Sequence, residues 1–191
     1  MTRKKQTIIF LALIFIFLFI YMRFSGRHFT PEAVLNANEL GLHYGPSEKV
    51  LLKYHGDENN MLVIGKVDER GLSVIPAKRS MLVFWKLEGG SVPGYIGFDY
   101  PDDRAKANYS SKYSLIYGIT DLDEAAKADV EVIYKNNNMS DFETAGEYSM
   151  EIDGDGFFFC AVEPVDNESW YYINKTVIYD KNGNVLFNDI N

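Results

Sequence analysis

The sequence holds one cysteine, Cys160, and three histidines, His28, His43 and His55. A lone thiol excludes a disulfide framework and a Cys-rich zinc module. The histidines all fall in the first third of the chain, and no two form a His-x-x-x-His pair. No Gly-rich phosphate loop and no Gly-x-Ser-x-Gly elbow occurs. Basic residues are the minority: 19 Lys+Arg stand against 27 Asp+Glu, for a formal charge of −8. Phosphate contacts need clustered Lys and Arg, so a general nucleic-acid-binding role is excluded. Acids are so plentiful that spacing alone singles out no glycosidase-like carboxylate pair, and no catalytic residue is assigned. With 47% hydrophobic and 24% charged residues, the chain is still one that folds rather than one that stays disordered.

What is present is unevenly distributed. Ile8 to Met22 form an unbroken apolar run of 15 residues, preceded by Arg3, Lys4 and Lys5 and followed by Arg23. A span needs roughly 20 residues at 1.5 Å rise each. Gln6, Thr7 and Phe24 can extend the run into the interface, and Lys5 and Arg23 can snorkel outward. The run has no polar stripe, as a soluble core helix would. A cleaved signal peptide needs a small residue on each side of one variable position. Tyr21-Met22-Arg23-Phe24-Ser25-Gly26-Arg27 lacks that pattern, so an uncleaved signal-anchor is favoured over cleavage. The basic N-terminal flank then puts the C-terminal part outside the cytoplasm, as a single-pass protein of the cell membrane.

Charge divides the exported part sharply. Residues 25–119 carry 11 charges of each sign, and residues 169–191 carry two of each. Residues 120–168 carry 14 acids against Lys127 and Lys135 alone. Such a stretch is a solvated face or a site for a cation or basic partner.

Hydrophobic periodicity predicts a mainly β chain of α+β type. Residues 1–24 form the tail and transmembrane anchor, and 25–29 a linker. Thr30-Pro31-Glu32 opens a short helix, with Thr as N-cap, Pro at the first position and an acid in the first turn. Strands follow at 50–54, 61–67, 72–75 and 81–87, separated by turn clusters, as an antiparallel meander. Helix and meander make a small α+β module over 30–90. Residues 91–112 are dense in Gly, Pro and Asp and are expected to be a linker or long loop. Residues 113–191 carry further short strands at 113–119, 129–135 and near 144–152, 156–163, 170–179 and 185–187. Their spacing suggests a β-sandwich-like module, entered through a helical turn or crossover at 120–128.

Several stretches carry a resemblance. They are Thr30-Pro31-Glu32-Ala33-Val34, Lys49 to Tyr54, Met61 to Val67, Phe84-Trp85-Lys86, Ile116 to Asp121, Val130-Glu131-Val132 and Val177 to Leu186. Together they resemble small membrane-anchored extracytoplasmic proteins of Bacillus-like Gram-positive bacteria. The resemblance implies a cell-envelope location and a β-rich domain, and brings no catalytic residues with it.

Several segments invite a chemical reading. Asp180-Lys181-Asn182-Gly183-Asn184 has the alternating oxygen donors of a calcium loop, but position 12 of such a loop would be Asn191 rather than glutamate. Asn182-Gly183 between apolar strands is the stronger signal, for a hairpin. Glu151-Ile152-Asp153-Gly154-Asp155-Gly156 could wrap a weakly held divalent cation such as calcium through Asp153, Asp155 and Glu151, or could be a plain turn. Cys160, inside Phe157-Phe158-Phe159-Cys160-Ala161-Val162, reads as core. Trp85, Trp170, Tyr171 and Tyr172 form one aromatic group, and Tyr95, Phe98 and Tyr100 another. The second lies in the turn-rich segment and is the expected binding surface.

Three functions remain open. The favoured one is a non-enzymatic, membrane-tethered extracytoplasmic domain that binds an envelope protein or ligand. The others are a metal- or small-ligand-binding module built on 120–168, and an envelope enzyme whose site forms only in three dimensions. No cofactor is called for beyond the possible cation.

Overall fold

The apolar run folds as α1 (Arg3–Ser25), 23 residues long. At 1.5 Å per residue it spans about 35 Å, enough to cross a bilayer core. None of its most apolar window is buried against the rest of the chain. The computed structural model describes residues 3–42, 45–69, 71–80, 83–88, 94–98, 100–136, 141–163 and 169–190. His43, the start of the fourth expected strand at 81–82, and residues 91–93 lie outside them.

The second helix, α2 (Pro31–Leu42), begins as its sequence predicts. The Ala33 amide donates to the Thr30 hydroxyl at 3.2 Å, which satisfies one free N–H of the first turn. Val34 and Leu35 are fully buried on one side. The buried Glu39 accepts a 2.9 Å bond from the Ser47 amide and another from its hydroxyl. That carboxylate ties the helix to the chain entering the first strand.

Among the described residues, twelve strands follow in three antiparallel sheets. The proximal sheet holds β1 (Lys49–His55), β2 (Asn60–Asp68), β3 (Gly71–Ser80), β4 (Phe84–Leu87) and β5 (Gly94–Gly97). β4 and β5 lie along the same side of β3, β4 beside its end and β5 beside its start. The middle sheet runs β10 (Phe157–Ala161), β7 (Leu115–Thr120), β6 (Ala105–Ser110). The distal sheet runs β12 (Val185–Ile190), β11 (Ser169–Tyr179), β8 (Lys127–Asn136), β9 (Glu143–Glu151).

Three cores glue these elements into four layers. Val34 and Leu35 of α2 pack on Met61, Val63, Ile75, Ala77 and Trp85 of the proximal sheet. The other face of that sheet, with Leu62, Ile64, Leu72, Val74 and Ile96, packs on Leu115, Tyr117, Ile119 and Phe157 of the middle sheet. The reverse of the middle sheet, with Ala105, Ile116 and Phe158, packs on Ala128, Val130, Val132, Met150 and Ile178 of the distal sheet. Side chains alternate along a strand, so β7 supplies both of its cores from successive residues. This is why all six residues of Leu-Ile-Tyr-Gly-Ile-Thr are buried.

The mainly β, antiparallel architecture is the one the periodicity predicts. Three local expectations are corrected. Residues 91–112 are not simply linker or loop, because they contain β5 and β6. β6 alternates Ala105, Ala107 and Tyr109 toward the distal core with Lys106, Asn108 and Ser110, a pattern hidden by the turn residues around it. Residues 25–29 are not a free linker either. The His28 amide and carbonyl pair with those of Trp85, both at 2.7 Å, and Phe29 stands 5.3 Å from the Phe84 ring. Of the two readings of 120–128 the crossover stands and the helical turn does not: residues 121–126 form a turn closed by the Ala125 amide on the Leu122 carbonyl. They carry the chain from the middle to the distal sheet.

Candidate functional site

The acidic turn between β9 and β10 gives the expected cation ligands different partners. Asp153 caps its own turn: Oδ1 accepts the amides of Asp155 at 2.8 Å and Phe157 at 3.0 Å. The Asp155 carboxylate pairs with Lys49 and lies 3.9 Å from the Lys66 ammonium, which also donates to the Asp155 carbonyl at 2.9 Å. Two strands of the proximal sheet therefore supply the positive charge that balances this carboxylate. Glu151 lines a different recess, beside Asp129, Ser149 and Tyr179. Among the described residues, no three His, Cys, Asp or Glu side chains gather as a metal site. The turn borders an acidic cleft of about 480 Å³ with Glu69, Asp121 and Asp123.

Asp57 and Asp180 use the same device. Asp180 Oδ1 accepts the amides of Asn182 and Asn184, each at 2.8 Å, and closes the β11–β12 hairpin. Asp57 Oδ1 accepts those of Asn59 at 2.6 Å and Asn60 at 2.8 Å. Hydrogen bonds from the Asn184 side chain at Asp180, and from the Asn59 amide at Asp57, hold these carboxyls below the usual range. Oxygen-rich spacing that resembles a calcium loop here encodes Asx turns.

The aromatic group at 95–100 is also divided. Tyr95 lies over Gly71 and Gly97, where a Cβ at either position would strike its ring. Phe98, of opposite strand parity, packs toward the core between the proximal and middle sheets. Tyr100 is exposed in the following turn. The three do not form one surface.

An aromatic surface does form on the outer face of the distal sheet. In β11, Trp170 and Tyr172 point outward while Tyr171 points in, where it meets Tyr109 at 5.2 Å and stacks on Tyr134 at 5.8 Å. Trp170 is 65% exposed and Tyr172 nearly half exposed. Phe142, also exposed, sets its edge against Tyr172 at 5.6 Å and 84°, and the Lys135 ammonium lies 5.2 Å from its ring centre. The signal was in the alternation of Trp170-Tyr171-Tyr172, which becomes one-sided once a core is known to lie on one face only.

Polar groups continue this face along the sheet. Glu131 accepts from Thr144 at 3.2 Å and from Asn174 at 2.7 Å. Beyond it, Asp129, Glu147, Ser149, Lys175 and Tyr179 border a shallow recess of about 240 Å³. Burial works to raise the Asp129 carboxyl, but the Ser149 hydroxyl and the Lys127 ammonium outweigh it and hold it below the usual range. The face thus offers an aromatic end, a fixed carboxylate–amide centre and a charged end. It can bind by stacking and hydrogen bonding. No known protein family model matches the chain, and neither a curated protein nor a solved structure matches it.

Proposed function

We propose that the chain is a membrane-tethered, extracytoplasmic, non-enzymatic binding domain of the cell envelope. The observation that carries this reading is α1, an apolar helix of spanning length with no polar stripe and no burial in the fold it precedes. In water such a helix would expose far more contiguous apolar surface than a soluble monomer does. Behind it stand three sheets with well-buried cores, and the outermost sheet leaves Trp170, Tyr172 and the neighbouring Phe142 exposed together on its outer side. Trp, Tyr and Phe are the side chains most enriched at recognition surfaces. Trp170, Tyr172 and Phe142 are accordingly the contacts assigned to a partner.

Two measurements test this. On intact cells, a membrane-impermeant amine reagent should label the exported lysines. Labelling only after lysis would reverse the orientation. Gentle solubilisation and pull-down of the tagged chain should recover partners that the Trp170→Ala, Tyr172→Ala double variant loses. Both side chains are exposed, so that variant should lose less than about 1 kcal/mol of stability. An unchanged set of partners would remove this face from the binding role.

A further inference from the structure

The end of α1 is fastened to the folded domain. The Arg27 guanidinium donates through Nε to the Ser80 hydroxyl at 3.0 Å and lies 5.2 Å from the Tyr21 ring centre. His28 pairs with Trp85 through two backbone hydrogen bonds, and Phe29 meets Phe84. Phe19 and Met22, in the last turns of α1, border a crevice whose other walls include Ala37 and Asn38 of α2 and Leu87 of β4. The domain-side end of the helix therefore sits beside α2 and β4.

Large apolar side chains near this junction in the chain are exposed. Phe24 is 87% exposed, Phe29 59% and Val83 58%. Val83 precedes Phe84, the partner of Phe29, so all three lie close to where α1 leaves its apolar run. Cations share the same edge. Arg27 lies there, and Arg79 stacks over Trp85 at 5.5 Å. Acidity is concentrated elsewhere. Residues 120–168 hold 14 acids and two lysines, and five of those acids, Asp129, Glu131, Glu143, Glu147 and Glu151, stand in β8 and β9 of the distal sheet. That sheet is the layer farthest from α2.

We propose that the domain rests on the outer surface of the bilayer that α1 crosses, through Phe24, Phe29 and Val83, with the distal sheet turned away from the lipid. This rests on the reading of α1 as a membrane span. The contacts of Arg27, His28 and Phe29 with the domain keep these side chains near the interface. Insertion of these side chains at the headgroup boundary removes their surface from water, while Arg27 and Arg79 meet lipid phosphates. The acidic face avoids an anionic surface by pointing outward.

The full chain in nanodiscs of phosphatidylglycerol and phosphatidylcholine provides the test. In a Cys160→Ser background, a nitroxide is placed at Val83→Cys, Phe29→Cys, Val185→Cys on the distal sheet, or Ile14→Cys within α1. Collision with oxygen and with a water-soluble nickel chelate is then measured. Nickel accessibility at Val83 and Phe29 should be roughly three-fold or more below that at Val185. Ile14 should be shielded from nickel and open to oxygen. If Ile14 is shielded while Val83 and Phe29 match Val185, the span stands and the lipid-resting face is wrong. If Ile14 is open to nickel, the span and this face fall together. Val83 is an exposed turn residue, so its result decides the matter even if Phe29→Cys weakens the contact with Phe84.

Discussion

At the residue scale, the backbone explains positions that composition leaves opaque. Gly156 adopts φ +75° in the turn between β9 and β10, and a Cβ there would collide with the Thr120 carbonyl oxygen. Gly183 in the β11–β12 hairpin has φ +84° but open space around it. Gly183→Ala should therefore cost only the left-handed backbone penalty, about 1–2 kcal/mol. Gly156→Ala adds an overpacking term and should cost about 2–5 kcal/mol in all. Urea denaturation of both variants checks the difference, and equal losses would contradict the geometry. The same scale shows why Asp153 and Asp155 read ambiguously. Aspartate one or three residues before glycine suits a cation loop and an Asx turn equally well, and the approach of Lys49 and Lys66 from a distant sheet shows what Asp155 pairs with here.

At the element scale, legibility followed periodicity. The strands with clear alternation or long apolar runs, β2, β7, β8 and β11, stand near where the sequence places them, whereas β3 runs on to Ser80 through the turn expected at 77–79. The short β5 and β6 escaped because Gly94, Gly97, Pro101 and two aspartates mask a weak alternation. The pairing of residue 28 with β4 was illegible because a two-residue bridge has no period at all. β7 shows what a run of apolar residues means when no polar face interrupts it: both sides are covered. Ile116 faces the distal core and Ile119 the proximal one, and both are fully buried. Ile116→Ala and Ile119→Ala should each lower stability by about 2–5 kcal/mol, despite serving different cores. Loss from only one of them in urea titrations would show that the other face is loosely packed.

At the scale of the whole molecule, the order of layers was not in the sequence. Two strand-rich halves separated by a Gly- and Pro-dense segment look like two modules. Yet Leu62, Ile64 and Leu72 from one share a core with Leu115, Tyr117 and Phe157 from the other. Shared burial of that kind predicts one cooperative transition. The chain supplies its own reporters, since its two tryptophans stand in different outer sheets: Trp85 in the proximal and Trp170 in the distal. Single-tryptophan variants, Trp85→Phe and Trp170→Phe, should give unfolding curves that coincide with the circular-dichroism curve of the same variant. Separate midpoints within one variant would restore two independent modules.

The fastened junction between α1 and β4 has a mechanical meaning. A helix on a slack tether turns without moving its cargo, whereas one held at Arg27, His28 and Phe29 turns the domain with it. With sheets stacked about 10 Å apart, the outer face of the distal sheet lies about 30 Å beyond α2. A tilt of α1 by about 10° then sweeps Trp170 and Tyr172 sideways by roughly 5 Å, about the spacing between neighbouring strands. Any reorientation of the helix is thus geared up into displacement at the far end of the molecule.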